Sequence, residues 1–191
     1  MCLGGVFTAF LLLLGLGAIL YFVAIYNGLI QVSRNIDKAW ANIDVLLKQR
    51  HDEIPKLIKV CEGYMKFERD TLEKITAART ACIQSHGIAE SAKNEGELSG
   101  LLKNLFAVAE NYPDLKSNQN FLQLQQRVSY LESQIADRRE FYNDSVNTYN
   151  IRIAQIPDLW VANSLNMREK EFFKITEEEK ADPEIKFDLP K

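Results

Sequence analysis

The sequence contains few of the residues from which disulfide frameworks are built. Three cysteines occur in 191 residues, and Cys2, Cys61 and Cys82 form no Cys-x-x-Cys pair. A disulfide framework uses more cysteines at shorter intervals. Cys61 and Cys82 fall at apolar helical positions, so we interpret both as small buried side chains.

Sequence signatures of catalysis are also missing. The chain has no Gly-x-Ser-x-Gly, P-loop or Gly-x-Gly-x-x-Gly motif. Neither of its two histidines follows a glutamate at the Glu-x-x-His spacing of a di-iron bundle. Cys82 and His86 stand at helical spacing, but nothing in the sequence supports a cleft beside them. Because consecutive helical residues diverge around the axis, His51, Asp52 and Glu53 do not readily share one ion. We therefore predict a protein that is not an enzyme and that has no metal and no cofactor.

Positive charge is not in excess. The chain has 23 lysines and arginines against 26 aspartates and glutamates, a net charge of -3. The basic residues do not gather in a stripe with aromatic side chains, as a nucleic-acid groove requires. No nucleic-acid partner is predicted.

The N-terminal region lacks charge altogether, since the first charged side chain is Arg34. Its apolar stretch exceeds the roughly 20 residues that cross a hydrocarbon core of about 30 Å. A cleaved signal peptide would have a basic start and a shorter apolar core. We therefore predict that residues 1–30 are a retained transmembrane anchor, with Tyr21 and Tyr26 at the lipid interface.

Basic residues follow the anchor but do not precede it. The positive-inside rule therefore predicts a single-pass protein of the cell's inner (cytoplasmic) membrane. Its N-terminus would lie outside and the rest of the chain in the cytoplasm.

Apolar residues recur at helical spacing through the rest of the chain. The first such face consists of Ile36, Trp40, Ile43 and Leu47. No breaker separates it from the anchor, so we expect one helix to continue to about Arg50. A second helix is expected from about Asp52, with Pro55 in its first turn, to Gly87.

Two more helices complete the predicted domain. Residues 91–100 are polar, which indicates a loop or a frayed helix start. Residues 101–109 indicate a short third helix, and Pro113 indicates a break after it. The fourth helix begins at a cap on Ser117 or Asn118 and ends at Pro157. The predicted fold is all-α: an N-terminal transmembrane helix continuous with an antiparallel up-and-down four-helix bundle over residues 31–157.

The up-and-down order returns the end of the fourth helix to the bilayer. Residues 158–175 are therefore predicted to be a membrane-proximal amphipathic segment, with Trp160, Phe172 and Phe173 in the interface. The alternative is that these aromatic side chains cover the core of the bundle. Residues 176–191 are acidic and contain proline, which predicts a disordered tail.

A polar layer interrupts the apolar faces of the first and last helices. Its candidate members are six residues, Asn35, Asp44, Arg138, Arg139, Asn143 and Asp144, with Lys48 and Arg50 of the first helix beside them. A buried polar layer fixes the register of neighbouring helices. A ligand-binding site is the sharper alternative.

Three blocks of sequence resemble the LemA family. The first starts at YNGLIQVSRNIDKAWANIDVLLKQRHDEIP, directly after the anchor; ENYPDLKSNQNFLQLQ and RREFYNDSVNTYN are the others. Together they cover most of residues 26–157. Cys61 and Glu62 depart from the family pattern, and the region after Pro157 lacks the glycine- and phenylalanine-rich ending of many relatives. The role of that region is therefore open.

The resemblance implies a bacterial membrane protein with an N-terminal anchor, a cytoplasmic four-helix bundle and no established catalytic activity. One branch of the family is connected with magnetosome membranes, which hints at membrane organisation. We therefore expect a scaffold that self-assembles or recruits other membrane proteins, in contact with membrane lipid. The alternative is a small-ligand sensor or adaptor that uses the polar layer.

Overall fold

The structure, a computed structural model, describes residues 2–174, with side chains from residue 5 onward. Every regular element in that part of the chain is a helix. The bounds are α1 Cys2–Glu62, α2 Arg69–Gln84, α3 Ile88–Ala109, α4 Pro113–Lys116, α5 Gln119–Ala154 and α6 Asp158–Ser164. The all-α prediction and the long apolar N-terminal helix are confirmed. The predicted tail, residues 176–191, lies outside the described residues.

No other part of the described chain covers the apolar start of α1. All side chains from residue 5 to residue 24 are exposed. Within Gly5–Glu62 the most apolar window has a mean hydropathy of 2.5 and is wholly unburied. By length and composition, this helix is able to cross a membrane.

Three helix boundaries differ from the sequence prediction. α1 continues through Pro55 and ends at Glu62 rather than near Arg50, and α2 begins at Arg69 rather than near Asp52. α3 begins directly after Gly87, so residues 91–100 are helical and not a loop. The turn before α3 requires glycine-like geometry, since Gly87 has a φ of 89°. The predicted cap of the last long helix is confirmed, because the side-chain oxygen of Asn118 accepts hydrogen bonds from the backbone N–H groups of Asn120 and Phe121.

The chain divides into two compact units. The described part of the first comprises residues 2–41 and 140–171, and that of the second comprises residues 42–139 and 172–174. In the first unit, the rings of Trp40 and Tyr142 meet edge to face with centroids 5.7 Å apart. Arg152 passes over Gly28, where a Cβ would lie 2.9 Å from Nη2, and its Nε donates to Asp158 at 2.8 Å.

The second unit has a continuous apolar core. It contains side chains of α1, α2, α3, α4 and α5, among them Ile54, Leu57, Ile75, Leu102, Leu115 and Val128. The rings of Phe106 and Phe121 meet at its edge, with centroids 6.4 Å apart. This core surrounds the most unusual feature of the unit, a set of buried charges.

Candidate functional site: a buried charged cluster

Six polar or ionisable side chains from four helices meet inside the second unit. We call them the Arg50 cluster, and its members are Arg50, His51, Cys82, Glu95, Ser99 and Glu132. All except Glu132 are buried. A charge in such a place is tolerated only when it is paired and hydrogen-bonded.

Arg50 is the centre of the cluster and has no exposed surface. Its Nη1 donates to Ser99 Oγ at 2.8 Å and to Glu132, and its Nη2 donates to Glu95. Nε has no hydrogen-bond partner among the described residues. Burial acts to lower the pKa of this guanidinium, but the charges of Glu132 and Glu95 outweigh it and raise the pKa. Arg50 is therefore a permanent buried cation.

Glu95 is the buried anion that faces it. One carboxylate oxygen accepts from Arg50, and the other, Oε1, lies 2.9 Å from Nε2 of His51. Burial alone would raise the pKa of this carboxyl, but the nearby His51 imidazole and the Arg50 charge outweigh it and lower the pKa. Glu95 is therefore ionised at neutral pH and is a poor general acid.

Glu132 forms the edge of the cluster toward solvent, with 31% of its side chain exposed. Ser99 Oγ lies 3.1 Å and 3.2 Å from its two carboxylate oxygens. Ser99 thus contacts both Arg50 and Glu132. Glu95, Ser99 and Glu132 therefore each make at least two polar contacts within the cluster.

Cys82 is the buried member of the cluster on α2. Burial and the nearby carboxylate of Glu95 raise the pKa of its thiol to about 12. A protonated thiol is a weak nucleophile, so this geometry does not support nucleophilic catalysis. The donor atoms of His51, Cys82 and Glu95 all lie within 4.8 Å of one another. Chemically, the cluster is suited to holding charge or a metal ion in place and not to acid–base turnover.

A second feature belongs to the first unit, at the end of the apolar helix segment. Six side chains line a shallow, mainly apolar depression that we call the Trp160 groove: Phe22, Val23, Tyr26, Trp160, Val161 and Ser164. Trp160 is 58% exposed and Tyr26 is 44% exposed. Exposed aromatic side chains beside an apolar helix are typical of a membrane interface.

Comparison with known proteins identifies the family. A model described as the LemA family matches residues 39–187. The chain belongs to the LemA family. Protein LemA of Metamycoplasma hominis is 28% identical over 170 residues, which are 86% of this chain and 76% of that protein. The family assignment made from the three sequence blocks is therefore confirmed.

Other relatives carry a more specific name. Magnetosome protein MamQ 2 of Paramagnetospirillum magneticum is 22% identical over 174 residues, which are 78% of this chain and 64% of that protein. Magnetosome protein MamQ of Magnetospirillum gryphiswaldense is 20% identical, with the same two shares. The chain thus spans slightly less than two thirds of either MamQ protein.

Of the polar layer that its sequence predicts, this LemA-family chain fully buries only Arg50. Asn35, Asp44, Arg138 and Asp144 are exposed, and only Arg139 and Asn143 are half-buried. The guanidinium of Arg139 lies 4.6 Å from the ring centroid of Phe173. The charged side chains that are buried in the described part of the chain, Arg50 and Glu95, belong instead to the Arg50 cluster. Ligand binding by the six residues remains a prediction.

The predicted interfacial residues divide into two groups. Tyr21, Tyr26 and Trp160 are exposed, as an interfacial position requires. Phe172 is half-buried, and Phe173 is only 1% exposed, because its ring is covered within the second unit by Arg139. Phe173 therefore belongs to the protein core and not to the lipid interface. The alternative interpretation, aromatic cover for the core, fits it better.

The sequence prediction placed Arg50 in a polar layer with residues of the last helix, but it missed the partners that Arg50 has in the cluster. The sequence contains a signal for this buried site. On α1 the buried positions are Ile43, Leu47, Arg50, Ile54, Leu57 and Cys61, at steps of three and four residues. Arg50 thus occupies a core position in an otherwise apolar face. On α3, Glu95 lies in the same kind of face, between Ala92 and Leu98. The sequence prediction ended a helix near Arg50 and placed a loop or frayed helix start around Glu95, so it did not recognise either residue as part of a continuous helix face.

Proposed function

We propose that this LemA-family chain is an anchored membrane scaffold without catalytic activity, which self-assembles or recruits partners at the cytoplasmic face of the membrane. The observation that carries this proposal is the apolar segment of α1, all of whose described side chains are exposed. So large an apolar surface is not stable in water and needs lipid or another protein around it.

The Trp160 groove supports a position at the lipid surface. Trp160 and Val161 on α6 lie beside Phe22 and Tyr26, which end the apolar segment. Tryptophan and tyrosine are enriched at headgroup depth, because an apolar ring and a polar group are accommodated there together. α6 is then a short interfacial helix within the first unit.

The second unit supports a structural role. Its core draws on the four longest helices, α1, α2, α3 and α5, which favours the four-helix arrangement for that unit. The charged members of the Arg50 cluster bond to one another rather than to an open cleft. Buried ionic networks of this kind serve specificity of packing in several systems.

Orientation is tested first, on the full chain in intact cells and in inverted vesicles. Cys2 is a native reporter for the N-terminus, because Cys61 and Cys82 are buried. A membrane-impermeant maleimide should label Cys2 in intact cells, and a Cys2→Ser variant should lose the label. In the Cys2→Ser background, Lys66→Cys in the exposed turn after α1 should be labelled only in inverted vesicles. The reverse pattern would contradict the proposed orientation.

Assembly is tested separately. The full chain should give crosslinked dimers or larger species in native membranes, and a mass above that of the monomer in lipid nanodiscs. A chain that is strictly monomeric and crosslinks to no other protein is not a scaffold. If alkaline carbonate released the chain from the membrane, the apolar segment would not be a membrane anchor, and the proposal would be wrong.

A further inference from the structure

Three metal-binding side chains from three different helices converge inside the second unit. His51 lies on α1, Cys82 on α2 and Glu95 on α3. All three are buried, and their nitrogen, sulfur and oxygen donor atoms lie within 4.8 Å of one another. The sequence prediction considered His51 with its chain neighbours Asp52 and Glu53, whose side chains diverge around α1, and against the Glu-x-x-His spacing of a di-iron site. The two further donors instead come from α2 and α3.

The donor set is selective in its chemistry. Thiolate and imidazole are ligands for zinc and related transition metals, whereas magnesium and calcium take oxygen ligands. Zinc sites with three protein ligands from Cys, His and carboxylate groups keep a fourth position for water. The partly exposed Glu132 marks the side of the cluster that faces solvent.

A neighbouring group already holds one of the donors in position. Arg50 bonds to Oε2 of Glu95, which leaves Oε1 directed toward His51 at 2.9 Å. A hydrogen bond of this kind to a ligating side chain orients it and is a general feature of metal sites. Arg79 Nε also donates to the backbone carbonyl of His51 at 2.7 Å, which holds the main chain of α1 at this position.

Charge balance also favours a divalent cation. Arg50 faces the two carboxylates of Glu95 and Glu132, so the cluster has one net negative charge when His51 is neutral. Binding of Zn²⁺ with release of the Cys82 thiol proton to solvent adds two positive charges and one negative charge. The occupied cluster would then be neutral, which is the least costly state for a buried site.

From this geometry we propose that His51, Cys82 and Glu95 bind Zn²⁺. The imidazole and the carboxylate coordinate through the atoms that now face each other, and the Cys82 sulfur coordinates as the thiolate. The metal joins α1, α2 and α3 at one point of the core. This proposal does not depend on the scaffold function, and the two are tested by different experiments.

The test uses the full chain in detergent, purified without a polyhistidine tag and loaded with Zn²⁺ or Co²⁺ alone. The chain should retain one Zn²⁺ per molecule after desalting. Co²⁺ should give thiolate charge-transfer absorption in the near ultraviolet, which reports a bond to sulfur. Zn²⁺ should also raise the thermal unfolding temperature, since it binds the folded state.

Cys82→Ala is the decisive variant, because it removes the sulfur ligand and leaves the Arg50–Glu95 pair intact. Cys61→Ala is its matched control, since Cys61 is also buried and its thiol pKa is likewise raised by burial to about 12. Cys82→Ala should lose the Co²⁺ band and bind Zn²⁺ more than about 10-fold more weakly. Cys61→Ala should match the wild type in both.

Circular dichroism of both variants shows whether they keep the helical fold. If Cys82→Ala is folded and still binds one Zn²⁺ with unchanged affinity, the proposal is wrong. It is equally wrong if the folded wild-type chain retains no Zn²⁺. If Cys82→Ala does not fold, Cys82→Ser and the wild-type Co²⁺ spectrum decide, and a wild-type spectrum without a sulfur band overturns the site.

Discussion

Nε of Arg79 donates a hydrogen bond to the backbone carbonyl of His51 at 2.7 Å. In an uninterrupted helix this carbonyl would accept the N–H of the residue four positions later. That residue is Pro55, which has no N–H. A side chain of α2 therefore supplies the hydrogen bond that proline removes from α1, and this contact explains why α1 continues through an interior proline.

The first prediction concerns this exchange of donors. Arg79→Met should lower the free energy of unfolding by about 1–3 kcal/mol, because the His51 carbonyl loses its partner. In a Pro55→Ala background the same change should cost about 1 kcal/mol less, since the alanine N–H can bond to the carbonyl. Denaturant titration of the four variants in detergent, followed by circular dichroism, measures the coupling.

Arg127→Met is the control for the comparison of Arg79→Met with proline and with alanine at position 55. Arg127 lies on the exposed face of α5 and contacts Gln49 at 3.2 Å. Its replacement should cost little and should cost the same in both backgrounds. If Arg79→Met were equally costly with proline or alanine at position 55, the exchange of donors would be refuted.

Pro55 also shows how far sequence reasoning reaches in this chain. The helical class, the apolar anchor and the Asn118 cap depend on local patterns, and the sequence predicted all three. The continuation of α1 depends on Arg79, which lies 24 residues after Pro55 in the chain. Likewise, the sequence indicated a polar layer that includes Arg50 but not the partners Glu95 and Glu132, because no local pattern brings their helices together.

The second prediction concerns Arg50 itself. Arg50→Met should destabilise the chain by about 3–5 kcal/mol, because Glu95 would remain buried without its cation. Lys48→Met, two residues earlier and exposed on the same helix, is the matched control and should change stability by less than about 0.5 kcal/mol. Chemical denaturation in the same detergent measures both. Equal effects of the two variants would show that the buried pair is unimportant.

The third prediction concerns pH, measured in chelator to keep metal out. The pKa of Glu95 is lowered in the folded chain, so the unfolded state binds the proton more readily. The stability that Glu95 contributes is therefore complete above the unfolded pKa of about 4.3 and is lost as pH falls below it toward the folded pKa. The difference in unfolding temperature between wild type and Glu95→Gln should be constant near pH 7 and should shrink below about pH 4.3.

Glu97→Gln is the control for this titration. Glu97 lies on α3 two residues from Glu95 and is exposed. This variant should follow the wild-type curve through the acid range. A constant difference between wild type and Glu95→Gln down to about pH 3 would contradict the assigned pKa shift.

The fourth prediction separates a buried phenylalanine from an exposed one. Phe173→Ala should lower stability by about 3–5 kcal/mol, because the ring is 1% exposed and lies beneath the Arg139 guanidinium. Phe67→Ala, at a ring that is 94% exposed, should have almost no effect. Thermal unfolding of the two variants makes the comparison. If the two variants had nearly equal unfolding temperatures, Phe173 would not be a core residue, and the interfacial position predicted from the sequence would be favoured.

The fifth prediction places Trp160 relative to lipid. The chain has two tryptophans, so Trp40→Phe leaves Trp160 as the sole indole and Trp160→Phe leaves Trp40. Trp160 lines the groove beside Tyr26, whereas Trp40 lies 14 residues further along α1, about 21 Å at 1.5 Å per residue. In vesicles with headgroup-depth nitroxide lipids, Trp160 fluorescence should therefore be quenched strongly and Trp40 fluorescence weakly. If quenching were equal, or stronger for Trp40, the Trp160 groove would not lie at the membrane surface, and α6 would need another partner for its exposed ring.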